Sequence, residues 1–130
     1  MINGAIPSDI SDFIHNRIQS VEQLDVLFLL AAEPAKTWTA ETVSQELRSS
    51  ASSVKRWLQN LKDQSLIAQD EAGSYFFKPE DPALHKLIDD LREVYRHHRV
   101  RIIEMIFNKP AFRLQSFADA FRWKEDDKDG

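Results

Sequence analysis

Between Arg48 and Asp63 the chain reads "RSSASSVKRWLQNLKD", and its polar residues are of the kinds that bond phosphates and base edges. Arginine presents a planar fork that pairs with the acceptor edge of guanine, and an amide side chain can pair with the edge of adenine. Serine hydroxyls, lysine ammonium groups and the free N–H groups of a helix start can hold phosphate oxygens. With Val54, Leu58 and Leu61 placed inward on a helical wheel, Ser52, Arg56 and Gln59 turn outward, with Lys55 and Asn60 beside them. The candidate contact set is Ser50, Ser52, Ser53, Lys55, Arg56, Gln59 and Asn60. The same residue types also make an ordinary solvated helix face, so the flanking elements must decide between the two.

Other chemistries are poorly served. The chain has no cysteine, which excludes disulfides, thiolate zinc sites and a cysteine nucleophile. Its glycines, Gly4, Gly73 and Gly130, build no phosphate loop, and neither a zinc-binding histidine spacing nor a nucleophile elbow occurs. His85 and His98 lie too far apart along one helix to share a metal, and His97 and His98 point in different directions. Carboxylates are scattered over helices and caps. The chain is expected not to be an enzyme and to need no cofactor or metal.

The elements that must position the candidate set follow from apolar spacing and caps. Ser8 is expected to cap a helix carrying Ile10, Phe13, Ile14 and Ile18. Ser20 and Gln23 form a capping box opening "VEQLDVLFLLAAEP", which is apolar on most sides after Asp25 and should be the central helix, ended by Pro34. Thr39 caps a third helix with Val43 and Leu47 inward. The serines before Val54 favour a turn and then a cap, and a fourth helix follows. Trp57, at the border of its stripe, is expected in the core, and Trp38 is expected to staple onto the helix after it. Leu66–Gln69 and Ser74–Lys78 flank "DEAG" and read as a hairpin. Asp81–Pro82 starts a helix that nothing breaks before Asn108, about 40 Å if continuous. Ser116 could cap one more short helix in "LQSFADAFRW".

Two helices with a tight turn and a hairpin make a winged helix-turn-helix, an α+β fold that is mainly α. The divisions are 1–81 for that domain with its N-terminal helix, 82–109 for the long helix, and 110–130 for a short helix and charged tail. At 130 residues and 42% hydrophobic content the chain can bury one real core. No run of 18 apolar residues exists and the N-terminus lacks a secretory pattern, so a cytoplasmic location without membrane contact is expected. The net charge of −4 is unevenly spread. Lys36, Arg48, Lys55, Arg56 and Lys62 face only Glu41, Glu46 and Asp63 across the helix-turn-helix, whereas the hairpin segment sets Asp70, Glu71, Glu80 and Asp81 against Lys78.

Thr39–Lys78, about a third of the chain, resembles the winged helix-turn-helix domains of bacterial regulators of the MarR, PadR and ArsR-like groups. "TAETVSQEL" is similar to the first helix of their motif, "SASSVKRWLQNLKDQSLI" to their recognition helix and the entry to the wing, and "SYFFKP" to the returning wing strand. The ending "SFADAFRW" resembles uncharacterised bacterial winged-helix proteins. Those families often have Gly and an apolar residue in the inter-helix turn, where this chain has Arg48 and Ser49, and Gly where Ser65 stands. The resemblance implies a bacterial DNA-binding transcriptional regulator that inserts the helix at about 51–64 into the major groove of double-stranded DNA.

The long helix carries the stripe Leu84, Leu87, Leu91, Tyr95, His98, Ile102 and Ile106, the candidate dimer interface, together with Ile88, Val94 and Met105. Val100, Ile103 and Phe107 form a second apolar face, and a helix apolar on two sides needs two partners. One is the chain's own domain and the other a second copy. The competing arrangement is a monomer whose N-terminal helix and tail aromatics Phe112, Phe117, Phe121 and Trp123 cover the second face. "YRHHRVR" is the densest basic run, either a phosphate or acidic-partner site or a solvated face balanced by Asp89, Asp90 and Glu93. The acidic hairpin tip, Asp70–Glu71, supports a different reading: a winged helix used as a protein-protein interaction module without DNA binding. A protein partner or small-molecule effector is compatible with either reading, and no residue cluster names one.

Overall fold

A computed structural model describes residues 6–108. In chain order the elements are α1 (Ser8–Arg17), α2 (Val21–Ala32), α3 (Ala40–Leu47), α4 (Ala51–Asp63), β1 (Ile67–Gln69), β2 (Tyr75–Phe77), α5 (Pro82–His97) and α6 (Arg99–Phe107). This is the α+β, mainly α winged helix-turn-helix that the sequence predicts. The segment around "LQSFADAFRW" and the tail aromatics lie outside the described residues.

Short polar residues fix most helix starts. Ser20 accepts a hydrogen bond from the Gln23 N–H while the Gln23 side chain accepts from the Ser20 N–H, the expected capping box. Thr39 and Thr42 form the same reciprocal pair at α3. At α5 the Asp81 carboxylate accepts from the Leu84 N–H at 2.8 Å, with Pro82 at the first helical position. α1 differs from expectation: Pro7 occupies the cap position, no side chain caps the helix, and Ser8 is its first residue. Burial of Ile10, Phe13 and Ile14 holds it instead.

The apolar run of α2 explains its place at the centre. Leu24, Val26, Leu27 and Leu30 are fully buried, and the helix packs on α3, α4, α5 and β2. α1 closes the other side against α5 and α6. In the wing, Ile67 pairs with Phe77 and Gln69 with Tyr75 in an antiparallel register. Trp38 does not merely staple onto α3 as expected. Its N–H donates to the Tyr75 carbonyl at 2.8 Å and its carbonyl accepts from the Tyr75 N–H at 2.7 Å, an isolated antiparallel bridge on the other side of β2 from β1.

Two helix ends use a left-handed residue that is not glycine. Arg48 ends α3 with φ 57°, and Ser65 follows α4 with φ 63°. After α4 the Leu66 N–H donates to the Leu61 carbonyl and the Ser65 N–H to the Lys62 carbonyl, with Leu61 and Leu66 both buried. That is the Schellman arrangement, in which the left-handed residue is usually Gly. Both left-handed residues stand in the turns where the resembling families often carry Gly.

The expected continuous helix is two helices. His98, with φ −135° and ψ 44°, separates α5 from α6, although no Pro or Gly is present. The cause is tertiary: α1 packs on both α5 and α6, and Ile102 and Ile106 are buried with Ile88 and Leu91. A straight helix about 40 Å long would run past so small a core. The break also decides where the residues of the expected dimer face lie within one chain. Leu91, Ile102 and Ile106 are sealed inside the chain's own core, and Leu84, Leu87 and Tyr95 pack against it while His98 sits half-buried at the junction. On the second face Val100 is 69% and Phe107 51% exposed, and Ile103 is half-buried between them.

Candidate nucleic-acid interface

Helix α4 is built to be held from one side and open on the other. Ser50 caps it, accepting from the Ser53 N–H at 3.2 Å. Val54, Leu58 and Leu61 are fully buried against α2, α3 and β1. On the far side Ser50, Ser52, Lys55, Arg56 and Gln59 are exposed, which brings five of the seven candidate residues onto one face. Gln59 donates to Asp63 at 3.1 Å, and the Arg56 guanidinium lies 5.8 Å from the centre of the Trp57 ring. Both contacts are exposed, so their side chains are available at small cost.

The other two candidates face inward. The Ser53 hydroxyl donates to the Glu22 carboxylate, and the Trp57 indole N–H donates to the same oxygen at 3.1 Å. Trp57 is half-buried against the core as expected, with this bond at its polar edge. Asn60 accepts from the Gln23 amide at 2.8 Å and from the Gln64 amide at 2.9 Å. Gln23 is fully buried; it also donates to the Arg17 carbonyl at 3.1 Å and accepts from the Gln19 N–H at 2.6 Å. Ser53 and Asn60 are thus half-buried and hydrogen-bonded to α2, off the exposed face of α4. Sequence reasoning missed Glu22 altogether and saw in Gln23 only a capping partner. The available signal was the polar row Ser53, Trp57, Asn60, which runs at helical spacing directly beside the apolar row.

The wing tip has a structural reason for its first acid. The Asp70 carboxylate accepts from the Ser74 N–H at 2.9 Å, its N–H donates to the Ser74 carbonyl at 2.8 Å, and Gly73 adopts φ 90° to close the turn. Glu71 is exposed at the tip. Lys62, at the end of α4, reaches the wing and donates to Gln69 at 3.1 Å.

The basic run of α5 and α6 is largely engaged along its own helices. Arg96 and His97 both pair with Glu93, at 3.2 and 3.0 Å, and these partners hold the Glu93 carboxyl below its ordinary range, His97 first. Lys86 pairs with Asp90 at 2.9 Å, His85 with Asp89 at 3.3 Å, and Arg99 lies over the Tyr95 ring. This is the pattern of a solvated helix face. At the α5–α6 junction Tyr95 meets Phe28 edge-on at 5.3 Å. Burial pushes the Asp25 carboxyl up, an effect that Arg99 opposes and Glu22 adds to. Tyr95 is also raised, by burial and then by the charge of Asp25. Among the described residues no group of His, Asp and Glu is arranged to hold a metal ion, and no helix is long and apolar enough to cross a membrane.

No family model and no curated protein sequence matches the chain. Among solved structures, the MarR family transcriptional regulator SPO1453 from Silicibacter pomeroyi superposes with a TM-score of 0.52 at 14% identity, covering 88% of this chain and 81% of that one. A mutant MepR from a multidrug resistant S. aureus clinical isolate gives a TM-score of 0.50, again at 14% identity, over 91% of this chain and 86% of the other. Likeness at that level of identity is likeness of fold, and the fold of this chain is the winged helix-turn-helix seen in MarR-type regulators.

Proposed function

We propose that the chain is a DNA-binding transcriptional regulator that acts as a homodimer and inserts α4 into the major groove. The observation that carries this reading is the division of α4 into a pinned inner side and an exposed face bearing Ser50, Ser52, Lys55, Arg56 and Gln59. Arg56 and Gln59 are the base-reading candidates. Lys55, the serines and the helix N-terminus serve the phosphates. In a dimer, two copies of α4 would meet half-sites about 34 Å apart. A second copy seated beside Val100 and Ile103 would bury Val100, which is 69% exposed on α6.

The first test is binding to random-sequence duplex DNA across a salt series, with the wild type and a Lys55→Ala/Arg56→Ala double variant. Binding that weakens steeply with salt, and that the variant loses, is the expected result. Arg56→Ala alone should cost about 1–3 kcal/mol at a selected site and relax the base preference at one position. No binding at low salt would overturn the reading. The acidic wing tip, with Glu71 exposed, favours the second reading of a protein-interaction module, and that outcome would bring it forward.

A further inference from the structure

The buried apolar row of α4 decides which side faces the core but sets the roll of the helix only coarsely, because hydrophobic contact is non-directional. Direction comes from the polar row beside it. Ser53, Trp57 and Asn60 occupy successive turns of one side of α4, and each is hydrogen-bonded to one of two consecutive residues of α2. Glu22 takes the first two and Gln23 the third. Gln64 extends the far end to the Arg17 carbonyl at 3.2 Å, so the C-terminal half of α4 is tied to the α1–α2 turn as well. Glu22 also stands in the first turn of α2 and beside the first turn of α4, where the partial positive charge of both helix starts favours a carboxylate.

Roll matters at this surface more than elsewhere. A side-chain head about 5–6 Å from a helix axis moves about 2 Å when the helix turns by about 20°. A shift of that size breaks a bidentate bond to a base, whereas a phosphate contact from a long lysine survives it.

We infer that Glu22 is a positioning residue for base readout: through Ser53 and Trp57 it sets the roll of α4, and with it the registry of Arg56 and Gln59 on the base edges. This rests on the reading of α4 as the helix that meets DNA. Glu22 acts through those two residues, so its loss should change which sequences are bound without changing the count of phosphate contacts.

The test compares three proteins against one duplex selected by the wild type and one random duplex, both across a salt series. Glu22→Leu removes the acceptor and leaves the apolar row and the Gln23 clamp in place. Glu22→Gln keeps an acceptor oxygen and removes the charge. Because lost negative charge strengthens binding to any duplex, the readout is the ratio of the two affinities, with the salt slope beside it. Glu22→Leu should lower the ratio at least tenfold at an unchanged slope, and Glu22→Gln should hold it within about threefold of wild type. If Glu22→Leu does not fold, Ser53→Ala/Trp57→Phe removes the same bonds from the α4 side and should give the same drop. A folded variant lacking these bonds that keeps the wild-type ratio overturns the inference alone. A wild type that binds no duplex overturns the reading of α4 and the inference together.

Discussion

Burial beside the α5–α6 junction raises the Asp25 carboxyl above its ordinary value of 3.8, Arg99 draws it back, and Glu22, one turn earlier on α2, pushes it further up. A carboxyl raised by folding stabilises the fold when protonated. Its contribution is complete below the unfolded value and is lost as pH rises through the folded one. At neutral pH the ionised Asp25 therefore works against folding: among the described residues it feels Glu22 and the Tyr95 hydroxyl, and Arg99 offsets them. Asp25→Asn should raise Tm at pH 7, and the gain should vanish at about pH 3, where wild-type Asp25 is protonated as well. Thermal melts of both proteins at the two pH values decide it, and an equal gain at both would count against the charge as the cause. The residue scale is also where the sequence was least complete as a guide. Exposed Arg56 and Gln59 follow from the wheel, because Val54, Leu58 and Leu61 determine which way is in. The inward turn of Ser53 and Asn60 does not, since their partners Glu22 and Gln23 lie more than thirty residues away.

Helix ends are the element-scale feature with the clearest energetic consequence. Ser65 and Arg48 hold left-handed backbone at φ 63° and 57°, a conformation that costs a residue with a Cβ about 1 kcal/mol relative to Gly. Ser65→Gly keeps the Schellman bonds to Leu61 and Lys62 and removes that strain, while the greater freedom of unfolded Gly returns part of the gain. The expected net is about 0.5 kcal/mol, or a Tm higher by about 2–4 °C. Ser65→Val should move Tm the other way, because a β-branched residue is poorly tolerated at positive φ. Calorimetry on the pair tests the sign, and two shifts in the same direction would exclude backbone strain as the cause. Helix starts were legible from the sequence because a cap and its partner stand three residues apart, as with Ser20 and Gln23. The break at His98 and the bridge between Trp38 and Tyr75 were not, because packing of distant segments creates both.

At the scale of the whole molecule, the burial of the α5–α6 stripe separates two substitutions that the sequence alone would treat alike. Leu91 is fully buried within one chain, so Leu91→Asp places a charge in the core and should unfold the protein. Val100 is 69% exposed on α6, and a charge placed there should change the protomer's own stability by about 0.5 kcal/mol or less. If a second copy packs on that side of α6, Val100→Asp should halve the mass seen by light scattering while the circular dichroism spectrum stays that of the wild type. Loss of the dimer should also weaken binding to a two-half-site duplex at least tenfold and leave binding to a single half-site nearly unchanged, since two linked contacts gain from each other and one does not. A wild-type mass of one chain, or a Val100→Asp variant that keeps the wild-type mass, would remove α6 as the dimer surface. Either result would leave the exposed face of α4 intact as a reader of single half-sites.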